Sequence, residues 1–146
     1  MSIWKRESSL EALEAECRNT LVSHVGIEFT ELGEDCLRGR MPVDSRTRQP
    51  YGLLHGGASV VLAETLGSIA ANLCLADPNK MAVGLDINAN HVRAMREGWV
   101  EGCARPLHLG ASTQLWEIRI EDERGRLVCM SRLTMAVTDV QRGKTF

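Results

Sequence analysis

Gln49-Pro50-Tyr51-Gly52-Leu53-Leu54-His55-Gly56-Gly57-Ala58-Ser59-Val60-Val61-Leu62-Ala63-Glu64 runs from a turn-rich loop into an apolar helix bearing one acid. Proline and glycine punctuate the loop. They place the helix start near Gly57 or Ala58, and Asp77-Pro78 marks a point before which it must end. Val60, Val61, Leu62, Leu66, Ile69, Ala70 and Leu73 spread around most of the circumference, the pattern of a helix enclosed by other structure rather than lying on a surface. Glu64 stands among them. A carboxylate taken out of water without partners loses several kcal/mol or shifts its pKa upward, so this acid is the first place to look for chemistry.

A helix so apolar requires a sheet wrapped around it, and the flanking sequence supplies one. Upstream, Ser8 and Glu11 form a Ser-x-x-Glu capping box, followed by Leu10, Leu13, Cys17 and Leu21 at helical spacing. From His24 to Met41, Val25, Ile27 and Phe29 alternate with polar residues, and Gly33-Glu34-Asp35 breaks the run before Leu37, predicting a hairpin. Pro42 to Gly57 is a loop. Downstream, Met81–Asn90, Trp99–Ala104, Ala111–Ile120 and Leu127–Val137 have strand composition, with Asp122-Glu123-Arg124-Gly125 as a turn. Gln114, Trp116, Ile118 and Ile120 share one strand face, and Leu115, Glu117 and Arg119 share the other. The sum is about six strands and one long central helix in a single α+β domain, residues 1–146, with a polar tail from about Asp139.

The composition narrows the function classes. With 146 residues, 44% hydrophobic and 25% charged, the chain fits one soluble globular domain. A net charge of −2 and six aromatic residues argue against a nucleic-acid surface. The five cysteines are scattered without a Cys-x-x-Cys pair, which suits reduced thiols rather than a disulfide framework or zinc site. No run reaches transmembrane length and Met1 to Glu7 do not read as a signal peptide, so a cytoplasmic protein without membrane contact is expected. No Gly-x-Ser-x-Gly elbow, His-Glu-x-x-His metal signature or phosphate-binding Gly-x-x-x-x-Gly-Lys loop is present.

Four motifs carry a resemblance: Met41 to Arg46, Gln49 to Gly57, Gly84-Leu85-Asp86-Ile87-Asn88-Ala89-Asn90-His91, and Pro106-Leu107-His108-Leu109-Gly110. Over roughly Ile3 to Val137 the chain resembles the hotdog-fold acyl-CoA thioesterases. Its branch is that of bacterial 1,4-dihydroxy-2-naphthoyl-CoA thioesterase and the enterobactin-pathway proofreading thioesterase. The resemblance implies hydrolysis of acyl-CoA or acyl-carrier-protein thioesters, with an aromatic acyl group preferred. It implies no metal and no cofactor beyond the coenzyme A of the substrate, and a homo-oligomer built as a dimer of dimers. Menaquinone synthesis, siderophore proofreading and general CoA recycling are the pathways open to such an enzyme.

The resemblance also assigns residues. Glu64 is the expected catalytic carboxylate, either attacking the thioester carbonyl or drawing a proton from water. Gly56, where loop meets helix, is the expected backbone donor to the developing oxyanion, with His55 assisting. Gln49 orients water or substrate, and Ser68, one turn beyond Glu64, faces the same way. Gly84, His91-Val92-Arg93-Ala94 and His108-Leu109-Gly110-Ala111-Ser112-Thr113 are expected to contact acyl-CoA. Arg93 suits a phosphate. Arg96 and Arg105 are further phosphate candidates, and Leu66 and Ile69 candidates for the acyl pocket. The rival readings are a hotdog dehydratase or hydratase and a non-catalytic acyl-CoA-binding module.

Overall fold

The computed structural model describes residues 1–141. Two short helices, α1 (Leu10–Glu16) and α2 (Leu21–His24), precede the hairpin β1 (Glu28–Leu32) and β2 (Leu37–Pro42). The long helix α3 (Gly56–Leu73) follows, then β3 (Lys80–His91), β4 (Trp99–Leu109), β5 (Thr113–Asp122) and β6 (Leu127–Asp139). The strands form one six-stranded antiparallel sheet in the order β1-β2-β4-β5-β6-β3. This sheet curls around α3, which is the expected α+β hotdog arrangement.

The core lies between sheet and helix. Trp116, Ile118 and Ile120 of β5 are buried against α3, together with Leu133 and Met135 of β6. Gln114 shares that face, and its polar atoms are satisfied: Trp116 Nε1 donates to its Oε1 at 2.8 Å, and its Nε2 donates to the Ala71 carbonyl at 3.3 Å. Leu66 of α3 enters a notch formed by Gly39 of β2 and Gly102 of β4, which pair across the ladder. A β-carbon on Gly39 would stand 2.9 Å from Leu66 Cδ2, and one on Gly102 would stand 2.8 Å from Cδ1. Leu66 is therefore a core residue and does not line an acyl pocket.

Several boundaries differ from the sequence reading for local reasons. Ser9 rather than Ser8 caps α1, its hydroxyl accepting from the Ala12 N–H at 3.1 Å. Asn19, at φ 58°, breaks the chain there, so Leu21 starts a separate helix and is exposed. Val25 and Ile27 are buried ahead of β1 rather than within it. Strand β4 continues past Ala104 to Leu109 through a register shift between Pro106 and His108. β5 starts at Thr113, because Gly110 to Ser112 make the turn. Asp139 is not tail: it pairs with Lys80 in the ladder and by an ion pair of 2.7 Å. The remaining tail, 142–146, lies outside the described residues.

The enclosure of α3 is incomplete. Leu62, Ala63, Leu66, Gly67, Ala70 and Ala71 are buried, whereas Val61, Glu64, Thr65, Ser68 and Asn72 are only half-buried. One stripe of the helix looks away from the sheet. Among the described residues, no helix is long and apolar enough to cross a membrane.

Candidate active site

The loop into α3 is held before the helix begins. Thr47 is buried and donates its hydroxyl to the Pro42 carbonyl at 2.7 Å. Asp44 accepts from the Arg46 guanidinium at 2.7 Å and its backbone N–H at 2.9 Å, which holds the Asp44 carboxyl below its usual range. The His55 N–H donates to the Thr47 carbonyl at 2.8 Å, and the Leu54 N–H to Met95 at 2.7 Å. A tight turn at Gly52, φ 78°, folds Tyr51 back so that its N–H donates to the Gln49 side-chain oxygen. That uses the Gln49 side-chain carbonyl inside the loop, and among the described residues no acceptor takes its NH2 group.

His55 is the N-cap of α3, and its Nδ1 accepts from the Gly57 N–H at 2.8 Å. An accepting Nδ1 makes Nε2 the donor of the neutral ring. Helix α3 starts at Gly56, one residue earlier than the sequence reading placed it. Among the described residues no acceptor takes the Gly56 N–H, which points out of the helix start. His91 packs there: its Nε2 lies 2.9 Å from where a Gly56 β-carbon would be.

Gln49, Gly56 and His91 share a cleft of about 340 Å³ with Val92, Arg93 and Ala94, and His55 is outside its lining. The sequence reading singles out each of these six, Gln49 and Gly56 for catalysis and His91 to Ala94 for coenzyme A. Leu53, Leu54, Ser59 and Val128 also line it and were missed. Val128 arrives only through the pairing of β6 with β3, which no local pattern discloses; the two leucines sit between Gln49 and His55, where loop position was the available signal.

Glu64 is not in this cleft. Its carboxylate rests on the backbone of Gly84, with Oε1 2.7 Å from the position a β-carbon would take there. Eight residues separate Gly56 from Glu64 on one helix, about 12 Å along its axis. The free N–H groups of a helix start point away from the rest of the helix. One chain therefore cannot present Glu64 and the Gly56 N–H to the same carbonyl. Ser68, a turn further on, lines a separate cleft with Ile69 and Asn72.

The two segments expected to contact coenzyme A also lie apart. His91 pairs with Cys129 of β6, while Thr113 and Val83 both pair with Ala136. Seven residues of strand, about 23 Å, separate those levels. Ser112 is fixed at the far end by the Val137 N–H, which donates to its carbonyl at 2.9 Å. Arg105 is on the outer sheet surface, paired with Asp35 at 2.6 Å and away from the loop cleft. The Arg96 carbonyl accepts from Arg48 Nε at 3.0 Å, so this residue serves the loop through its backbone.

Residues 51–129 match the thioesterase superfamily. A 1,4-dihydroxy-2-naphthoyl-CoA hydrolase from Escherichia coli is 58% identical over 92% of this chain and 98% of its own length. A proofreading thioesterase from Cronobacter turicensis is 57% identical over 92% and 98%. The crystal structure of a thioesterase from Haemophilus influenzae superposes with a TM-score of 0.93 at 50% identity, covering 97% of this chain and 99% of that one.

Proposed function

The chain belongs to the thioesterase superfamily and hydrolyses acyl-CoA thioesters, and we propose that each active site is built by two copies of it. Glu64 of one copy faces the Gly56 N–H, Gln49 and His55 of the other. The observation that carries this reading is the 12 Å spacing of Gly56 and Glu64 on one helix, with the free N–H directed away from the acid.

The means of pairing is β3, an edge strand in the sheet order. A long uncovered edge is a template for another strand, and Leu85 on it is 62% exposed. A β-bulge between Gly84 and Asp86 inserts Leu85 without a partner. The extra residue turns Gly84 and His91 to the same face, the one toward α3, although they are seven apart in sequence. Gly84 touches Glu64 and His91 touches Gly56. Antiparallel pairing that sets Gly84 against the second copy's His91 therefore brings the acid of one helix to the donor of the other.

In such a site the thioester oxygen accepts from the Gly56 N–H, which stabilises the charge formed on attack. The Glu64 carboxylate either attacks the carbonyl carbon or takes a proton from the attacking water. Either way water replaces the thiolate, and the products are the free acid and coenzyme A. Arg93 at the cleft mouth suits a coenzyme A phosphate, and the distant turn His108 to Thr113 supplies contacts from the other copy. The E. coli relative is named for 1,4-dihydroxy-2-naphthoyl-CoA. An aromatic acyl group of that kind is our preferred substrate, as in menaquinone synthesis, with two such dimers forming a tetramer.

The shared site is tested by mixing two disabled variants, Glu64→Gln and Gly56→Pro. In a mixed dimer one site carries both defects and the other carries none. Activity should recover to about a quarter of wild type for random assortment around a two-fold axis. No recovery after verified subunit exchange would place both groups in one chain and overturn the reading. Gly84→Ala is a milder probe, since the new methyl would occupy the 2.7 Å approach of Glu64. It should lower kcat by about tenfold to a hundredfold, the scale for a misplacement near 1 Å, with thermal stability little changed. Wild-type kcat for Gly84→Ala would show that the contact does not position the acid.

A further inference from the structure

Asn72 on α3 holds both peptide groups of Ala82 on β3. The Ala82 N–H donates to Asn72 Oδ1 at 2.9 Å, and Asn72 Nδ2 donates to the Ala82 carbonyl at 3.0 Å. The same Nδ2 donates at 3.0 Å to the Ser68 carbonyl, which anchors the amide on its own helix. In an antiparallel ladder the residues whose N–H and C=O point away from the neighbouring strand alternate along the chain. On β3 those facing away from β6 are Lys80, Ala82 and Gly84, then, after the bulge at Leu85, Ile87, Ala89 and His91. The first, Lys80, is closed by Arg6 Nη2, which donates to its carbonyl at 2.8 Å, and by the Asp77 carbonyl, which accepts its N–H at 3.1 Å; Asn72 occupies the second. The side chain thus substitutes for a neighbouring strand at one position and closes the edge there.

Resting on the two-copy site above, we propose that Asn72 is a positioning residue that sets the register in which two β3 strands pair. With Lys80 and Ala82 closed, the positions left open among the described residues are Gly84, Ile87, Ala89 and His91. A two-fold pairing that uses all of them has its axis at Asn88, with Ile87 opposite the second copy's Ala89 and Gly84 opposite its His91. This is the register that brings Glu64 to the second copy's Gly56. With Ala82 open, a longer pairing centred on Ile87 competes, in which Gly84 faces Ala89 and Ala82 faces His91. The strands then slide by two residues, about 7 Å, which removes Glu64 from reach of the oxyanion donor. Edge closure by one amide selects the shorter, catalytically competent ladder over a longer one.

The register is readable by disulfide trapping. Asn88 would face its own copy across the axis as a non-hydrogen-bonded pair, where the Cα atoms stand about 4.5 Å apart, within disulfide reach. Asn88→Cys exposed to glutathione disulfide should give a covalent dimer on a non-reducing gel that wild type, with its native cysteines, does not give. Adding Asn72→Ala should cut that product and move cross-linking to Ile87→Cys. Asn72→Ala alone should lower kcat by about a hundredfold with the dimer mass unchanged, the scale of a displaced catalytic group. Asn72→Asp, which keeps the acceptor for the Ala82 N–H and loses the donors, should move both readouts the same way even if the alanine variant fails to fold. Cross-linking and turnover unchanged by Asn72→Asp overturn the proposal, as does a dimer that Asn88→Cys never cross-links. A fully active monomer would instead overturn the two-copy site itself.

Discussion

Glu64→Gln should leave the assembled protein intact and lower kcat by at least about a hundredfold, the usual contribution of a positioned acid or base. The amide has the size of the carboxylate and keeps the packing against Gly84. It cannot attack a carbonyl under these conditions and cannot take a proton from water. Substrate affinity should survive, because the loop cleft with Arg93 and Val92 does not include Glu64. The measurement is free-thiol release from aromatic, short-chain and long-chain acyl-CoA esters, with both proteins side by side. Near wild-type turnover would falsify the assignment of Glu64. Faster release from short-chain or long-chain esters than from aromatic ones would overturn the aromatic acyl preference.

Gly56→Pro should cost about a hundredfold to a thousandfold in kcat, the loss typical of one oxyanion donor. Gly56 is the first residue of α3, a position where proline fits a helix because its N–H has no partner within the helix. The backbone should therefore tolerate the change while the donor disappears. The substitution also adds a β-carbon that would meet His91 Nε2 at 2.9 Å. Gly56→Ala adds the same β-carbon but keeps the N–H, so the ratio of the two variants isolates the donor from the crowding. Equal kcat for the alanine and proline variants would remove the Gly56 N–H from the mechanism and leave its contact with His91 as its role.

The legible parts of the molecule were those set by short-range periodicity. The alternation of Gln114, Trp116, Ile118 and Ile120 predicted a half-buried strand, and each of those side chains is buried. The apolar helix after the glycine turn formed as read, within one residue of its start. Ser8 and Ser9 could each cap a helix, and only the backbone geometry selects Ser9. Leu85 gave no sign of a bulge, because the register that leaves it unpaired is decided by β6, more than forty residues away. Asn72 was passed over for a related reason. Its place one turn after Ser68 was visible, but Ala82 reaches it only after the sheet has closed. Gln49, Gly56 and His91 to Ala94 could be grouped from the resemblance, and they meet in one cleft. The division of Gly56 from Glu64 followed from helix rise and N–H direction, which residue types alone do not convey.

The glycine notch around Leu66 fixes more than packing. Residues 64 and 66 differ by about 200° around a helix of 3.6 residues per turn, so the two side chains leave α3 on nearly opposite sides. Leu66 acts as a key in a slot cut from two missing β-carbons, and the slot sets the rotational angle of the whole helix. The azimuth of the Glu64 carboxylate is thereby inherited from Gly39 and Gly102, on β2 and β4. Sequence drift at those two glycines would be felt first as a mis-aimed acid rather than as a lost fold.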